Sequence, residues 1–224
     1  MARVVAVVPA FNEARTIAAV VSRVRPYTSS VCVVDDGSTD GTADAACAAG
    51  AEVVRNAAGR GKGNAVRTGL AHVLRRDCTH VLLIDADLQH LPEEAPRLID
   101  EAERTGADVV LGERRFDRRA TPPARYYANR IGSRALSWFI GVAVRDTQCG
   151  YRLFRADMLR DLPLKARGYD IETEMLVKLR RRNGRIVSVP VTAVYAGQAS
   201  KLRPVRDTTR TCFLAVYYRF LERL

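Results

Sequence analysis

The sequence predicts an α/β fold, a mostly parallel central sheet flanked by helices, as a single domain with an amphipathic C-terminal tail. Three observations lead there. Short β-branched runs alternate with helical patterns through the first hundred residues, as in βαβ units whose strands are buried on both faces. A length of 224 residues suits one domain with a full core. A composition of 47% hydrophobic and 27% charged residues, with 15 Gly and 9 Pro, excludes disordered, collagen-like and coiled-coil classes.

Each element has its own signal. Residues 4–8 form a β-branched first strand. Apolar positions Ile17, Val20, Val21 and Val24 predict a helix over 13–24, with Asn12 able to cap it and Glu13 in its first turn. Residues 31–34 form a second strand, and 40–49 a small-residue helix stopped by Gly50, for which Asp35 or Asp40 could be the cap. Residues 52–55 form a third strand. After the loop Gly59-Arg60-Gly61-Lys62-Gly63, a helix runs over 64–74, and 80–84 form the most hydrophobic strand. A helix follows Pro92, and 109–112 close this half as a strand. In the second half, residues 125–140 interleave aromatic and aliphatic residues with arginines on an amphipathic helix, and 146–154 are turn and strand. A helix over 170–182, with Asp170 as N-cap and Gly184 as stop signal, precedes a strand at 186–189 and a tail from about residue 200.

Charge divides the chain. Residues 1–112 carry 12 basic and 15 acidic side chains, a balance of −3, whereas residues 113–224 carry 24 and 10, a balance of +14. Such a basic surface attracts phosphates on small molecules, lipids or nucleic acid. Nucleic acid is the poorest match: no helix-turn-helix, zinc or RNA-recognition pattern is present, and acidic clusters would repel a phosphate backbone. Five scattered cysteines, Cys32, Cys47, Cys78, Cys149 and Cys212, fit reduced structural thiols. The longest apolar stretches, 137–144 and 212–218, fall far short of the roughly 20 residues that span a bilayer. With no signal-peptide pattern at the start, a cytoplasmic chain is expected.

Chemistry concentrates at strand ends. Asp85-Ala86-Asp87-Leu88-Gln89 places two carboxylates, spaced i and i+2, where a buried strand stops, and ligands of open α/β sheets bind outside such carboxyl ends. Asp35-Asp36 ends another strand. Carboxylates gathered along one edge repel unless a hard divalent cation compensates, so Mg²⁺ or Mn²⁺ with phosphate oxygens is expected.

Pro9-Ala10-Phe11-Asn12-Glu13, Asp35-Asp36-Gly37-Ser38, Gly61-Lys62-Gly63-Asn64 and Asp85-Ala86-Asp87 together resemble the glycosyltransferase family 2 pattern on a Rossmann-like GT-A fold. The resemblance extends through Gly112-Glu113-Arg114 and residues 146–154, covers most of the chain, and in these later segments looks like the branch containing dolichyl- and polyprenyl-phosphate sugar synthases. It implies a GT-A domain over 1–199, with a nucleotide-sugar half (1–112) and an acceptor half (113–199), followed by a basic loop and amphipathic helix (200–224). It further implies an inverting transfer of a sugar from a nucleotide-diphosphate donor, GDP-mannose or a UDP-sugar, to a polyprenyl or dolichyl phosphate on the cytoplasmic face. Nucleotidyltransferases of similar fold usually carry a Gly-rich loop with Arg where Pro9 to Glu13 stand here.

Residue by residue, the resemblance has Pro9, Phe11, Glu13 and Val34 line the base and ribose pocket, with Asp36 accepting from base or ribose. Asp85 and Asp87, with Ala86 between and Gln89 beside them, would hold the metal bridging the donor diphosphate, and Asp87 would serve catalysis. Gly61 to Gly63 would allow close backbone approach, and Lys62 would reach phosphate or face water. Arg114, Arg125 and Asn129, the last standing where Ser is usual, would take the acceptor phosphate. Tyr195 stands where many mannose synthases carry Arg, so Lys201 and Arg203 are the candidates over the donor diphosphate. A phosphate acceptor is already ionised at pH 7 and needs no strong base. A sugar-hydroxyl acceptor, the alternative, would need one, and Glu172 lies in the apolar stripe of Ile171, Met175 and Leu179, with Glu174 toward its polar edge and, by family position, a structural anchor. Residues 125–144 and 208–224 have the composition of interfacial helices, so contact with a membrane surface or a small membrane partner is expected.

Overall fold

The computed structural model describes residues 2–56, 59–114, 123–147, 149–194 and 217; over 123–129 the helix backbone is described, but of the side chains only Tyr127. Seven strands form one sheet: β1 (Val4–Ala10), β2 (Ser30–Asp35), β3 (Glu52–Arg55), β4 (His80–Leu83), β5 (Val109–Arg114), β6 (Arg152–Arg155) and β7 (Ile186–Val191), in the order β3-β2-β1-β4-β6-β5-β7. β1 pairs parallel with β2 and β4, β2 with β3, and β5 with β7. Only β6 runs against its neighbours, β4 and β5. Strand order reverses beside β1, which opens the crevice where α/β sheets bind ligands. Because β6 is antiparallel, its first residue enters the sheet at the carboxyl edge, with Arg152 level with Leu83 of β4 and Leu111 of β5.

The helices are α1 (Ile17–Val24), α2 (Thr42–Ala48), α3 (Lys62–Val73), α4 (Ala95–Thr105), α5 (Pro123–Ile140), α6 (Ala156–Leu159) and α7 (Ile171–Arg181). Alternation along the strands divides the core. Val5, Val7, Val34, Leu83 and Leu111 pack with α3, α5 and α7 on one face; Val4, Ala6, Val33, Leu82 and Val110 pack with α1 and α4 on the other. α1 buries Ile17, Val20, Val21 and Val24, the positions the 3.6-residue period selects.

Several boundaries differ from expectation for local reasons. α1 starts four residues late because the N–H groups of Asn12, Glu13 and Ala14 donate to Ser38 Oγ, Thr42 Oγ1 and Asp40 Oδ2, stitching the turn to the loop before α2. Asn12 is no helix cap: its Oδ1 accepts from the Thr39 N–H. Asp40 does accept from the Thr42 N–H, from one residue ahead of the N-cap Gly41, while Asp35 accepts from the Ser38 N–H. α3 begins at Lys62, so this residue opens a helix. α7 ends at Arg181 and is stopped two residues on by Asn183, in the left-handed region at φ +61°, while the Gly184 N–H closes back on the Leu179 carbonyl. β7 continues through Pro190, which an edge strand tolerates. Cys32, Cys47, Cys78 and Cys149 are free thiols. Among the described residues no helix is long and apolar enough to cross a membrane.

Candidate active site

The carboxyl ends of β1 and β4, the entry of β6 and the first turns of α3 and α7 meet in one pocket lined by Pro9, Lys62, Asp85, Gly150, Arg152 and Glu172. Lys62 is its hub. Its Nζ donates to Asp85 Oδ1 at 2.7 Å and to Glu172 Oε1 at 2.7 Å, with the Tyr169 ring 5.6 Å away. The side chain is 16% exposed, so Lys62 neither faces water nor stands idle. Beneath it, Arg152, only 1% exposed, donates to the Cys149 and Thr147 carbonyls and to the Glu172 carbonyl, and reaches Glu172 Oε2 at 3.1 Å. Glu172 therefore lies between two cations.

Backbone packing fixes this arrangement. The close approach allowed by Gly61 and Gly63 is to the chain itself: a Cβ on Gly61 would lie 2.3 Å from the Arg167 carbonyl, and one on Gly63 2.5 Å from that of Ala166. The Gly63 N–H donates to the same Arg167 carbonyl. Gly61, at φ +140°, adopts a backbone that side-chain-bearing residues rarely reach. Asp36 secures the other side, accepting from the Gly61 N–H at 2.7 Å and from Asn56 Nδ2 at 2.5 Å, so both its oxygens brace the chain leading into α3. Glu174, placed by the helical wheel at a polar edge, is fully buried: it accepts from the Lys165 and Ala166 N–H groups and from Lys178 Nζ. It anchors α7 to the segment that the glycines press against.

Asp85 and Asp87 are driven apart electrostatically. Burial alone would raise the Asp85 carboxyl, but the Lys62 ammonium more than offsets this and holds it below the ordinary range. Burial, then the negative charge of Asp85, raise Asp87. Burial would lower Lys62, yet Asp85 and Glu172 keep it above the usual lysine value. Leu88, at φ +57°, holds a conformation costing about 1–2 kcal/mol, in the turn where the Gln89 N–H reaches back to Asp87 Oδ1. Among the described residues no three His, Cys, Asp or Glu side chains gather as a metal cage. Two carboxylates, one left strained by its neighbour's charge, are a fitting oxygen-only donor set for a hard divalent cation whose other ligands come from substrate and water.

Other expected residues fall as follows. Pro9 and Phe11 are half-buried at the end of β1, with the Arg60 guanidinium 4.7 Å above the Phe11 ring; Glu13 follows, and Val34 and Ala86 are core. Arg114 is committed elsewhere than to an open pocket: its Nε and Nη2 grip the Asp146 oxygens at 2.6 and 2.9 Å, with both side chains buried. The side chains of Arg125 and Asn129, and all of Tyr195, Lys201 and Arg203, lie outside the described residues. Sequence reasoning gave no role to Arg152, Gly150 or His90, the first two appearing only within the 146–154 motif. A charged residue opening an otherwise apolar strand was the signal for Arg152. A Cβ on Gly150 would lie 2.0 Å from Asp85 Oδ2. His90 is buried against Cys149 Sγ at 3.7 Å, and burial pushes it down to about 4, leaving the ring neutral.

Known proteins match this chain along nearly its whole length. Over 218 residues it is 37% identical to the glycosyltransferase AglJ of Haloferax volcanii, covering 94% of this chain and 70% of the relative. Over 205 residues it is 36% identical to the undecaprenyl-phosphate mannosyltransferase of Micrococcus luteus, covering 86% and 84%. The crystal structure of glucosyl-3-phosphoglycerate synthase from Mycobacterium tuberculosis with Mn²⁺, uridine diphosphate and glucosyl-3-phosphoglycerate superposes with a TM-score of 0.76 at 26% identity, covering 97% of this chain and 80% of that one. The family model for glycosyl transferase family 2 matches residues 5–162. With the sheet order and the strand-end carboxylates, this makes the chain a glycosyltransferase of family 2, built on the GT-A fold.

Proposed function

We propose that the chain moves a sugar, with inversion, from a nucleoside-diphosphate donor to a polyprenyl phosphate at a membrane surface, using Mg²⁺ or Mn²⁺. The observation that carries the choice of acceptor is the state of Glu172. A hydroxyl acceptor needs a carboxylate open to take its proton, and Glu172 is held by Lys62 and Arg152 on opposite oxygens. A phosphate acceptor arrives ionised and needs only positioning. The names of relatives agree: an undecaprenyl-phosphate mannosyltransferase, and a polyprenol monophosphomannose synthase from Mycolicibacterium smegmatis at 30% identity.

In this reading Pro9 and Phe11 form the walls for the base, with Val34 packed in the core behind them, Glu13 meets its ribose beside the turn that Asp36 braces, and Asp85, Asp87 and Gln89 hold the metal. The metal, when bound, offsets negative charge developing on the departing diphosphate. Lys62 contributes a second positive charge beside the donor phosphates, and Lys201 and Arg203 are the further candidate cations for the same phosphates. Arg125 and Asn129 are the candidates to meet the acceptor phosphate, and Arg114 braces the turn at Asp146. On α5, Tyr127, Ile131 and Trp138 are 48%, 61% and 76% exposed, with Arg130 and Arg134 beside them, a composition suited to an anionic lipid surface.

Transfer from radiolabelled GDP- and UDP-sugars, with Mg²⁺ or Mn²⁺, into a butanol-extractable polyprenyl phosphate tests the reading. Label in the lipid phase is expected, abolished by Asp87→Ala with the fold retained by circular dichroism. Donor turnover with no lipid product would move the acceptor to a sugar hydroxyl. Near-normal transfer by Asp87→Ala would remove the metal assignment.

A further inference from the structure

Two carboxylates, Asp85 and Glu172, line the pocket, with the cation Lys62 between them, the cation Arg152 behind Glu172, and Asp87 two positions beyond Asp85. The two cations differ in kind. Arg152 is fixed: its guanidinium is spent on three carbonyls and on Glu172. Lys62 is not. Its backbone is clamped by Gly61 and Gly63 against residues 166–167, but the ammonium sits at the end of a four-carbon stem and is shared equally, at 2.7 Å, between Asp85 and Glu172. Asp85 is also one of the two carboxylates that fit a divalent cation. An ammonium resting on a metal ligand competes with the metal for the same lone pairs. That competition is tolerable only if the ammonium has a second anion close by.

We infer that Lys62 is a built-in counter-ion for Asp85, and that Glu172, backed by Arg152, is the seat to which its ammonium retreats when a divalent cation takes Asp85. This rests on the metal-dependent reading above. Glu172 is on this account a positioning residue, neither a base nor a metal ligand. The arrangement solves a problem of burial: without a cation nearby, Asp85 and Glu172 would share a pocket with only Arg152 to compensate them. Lys62 neutralises the pocket between turnovers, and its retreat costs little because the new partner is already at hydrogen-bond distance.

Binding of Mn²⁺ alone, followed by the electron paramagnetic resonance signal of the free ion, tests this without turnover. Lys62→Met removes the competitor and is expected to tighten Mn²⁺ about tenfold, the scale of one charge-assisted contact. Glu172→Gln leaves Asp85 as the only carboxylate for Lys62 and is expected to weaken Mn²⁺ by about the same factor. In the Lys62→Met background, Glu172→Gln should then change nothing. Equal weakening by Glu172→Gln in both backgrounds would make Glu172 a metal ligand or a plain structural residue and overturn the inference. Should Glu172→Gln fail to fold, Lys62→Met decides alone, and unchanged or weaker Mn²⁺ binding overturns it. Mn²⁺ binding that Asp87→Ala leaves intact would overturn the metal reading itself, a result distinct from additive variants at an Asp87-dependent site.

Discussion

Asp85 points into the pocket because position 150 carries no side chain. A Cβ on Gly150 would stand 2.0 Å from Asp85 Oδ2 and 2.5 Å from its Cγ, both far inside van der Waals contact. The carboxylate is tied to Lys62, whose own backbone is clamped, so the simplest relief is for Asp85 to swing off its present line. Gly150→Ala is therefore expected to cut metal-dependent transfer on the order of a hundredfold, as misplacement of a reacting group by about 1 Å does. The thermal transition should move far less, since overpacking one methyl costs about 1–3 kcal/mol. Initial rates at saturating Mn²⁺, with a melting curve on the same sample, check both halves. Near-normal turnover would mean that Asp85 has room to spare. That Asp85 and Asp87 stand where a buried strand ends was legible from the sequence, because they follow directly on an apolar run. Gly150 was visible only as part of a motif: its reason is a contact with a residue 65 positions earlier, made possible by the one antiparallel strand.

Among the elements, α5 shows most clearly how one helix serves two surfaces. Ser133, Leu136 and Ile140 are buried, and Arg180 of α7 donates to the Ile140 carbonyl, fixing that face inward. Tyr127, Ile131, Arg134 and Trp138 recur every three to four residues on the opposite face, so among the described residues the most exposed large apolar side chains of the helix form one stripe. Replacing Trp138 and Ile131 together by Ser should lower association with vesicles containing anionic lipid about tenfold or more, since each buried large side chain is worth about 1.5–3 kcal/mol. Solubility and melting temperature should hold or rise. Co-sedimentation with anionic and with neutral vesicles measures it; equal binding by the double variant would assign the stripe to some other contact. Strands and helices of this kind were readable from periodicity almost throughout, with residues 52–55 matched end to end. What periodicity could not show were starts and stops decided at a distance. The stitching of residues 12–14 to the next loop delayed α1, and the segment folded over Glu174 buried a carboxylate that the helical wheel had placed at a polar edge.

At the scale of the molecule, the site is the seam between a half of charge −3 and a half of charge +14, and its parts form one mechanical chain. The carboxylates of Asp85 and Asp87 come from the first half; Arg152, Glu172 and the 166–167 backbone come from the second. Sequence motifs could name contributors on both sides but not the connection, because nothing local to Gly61, Ala166 or Glu174 announces that they touch. Glu174 is where that connection is fastened. Its carboxylate takes the Lys165 and Ala166 N–H groups and pairs with Lys178 at 2.8 Å, both side chains fully buried. Lys178 Nζ also donates to the Pro163 carbonyl. Removing one member strands the other charge in a dry interior, so Glu174→Ala should cost about 3–5 kcal/mol. For a chain of this size that lowers the melting temperature by roughly 6–20 °C. Glu174→Met combined with Lys178→Met should recover much of the loss, because an apolar pair of similar volume leaves no charge stranded. Recovery should be incomplete, since the Lys165 and Ala166 N–H groups stay without their acceptor. The same loosening frees residues 166–167 from Gly61 and Gly63, so the double variant, though folded, should bind nucleoside diphosphate more weakly than the unmutated chain. Melting curves of the three proteins, with calorimetric titration of uridine or guanosine diphosphate, separate the two effects. A double variant as stable as the parent and with parental nucleotide affinity would show that α7 holds itself in place and that the Lys62 clamp is set by α3 alone.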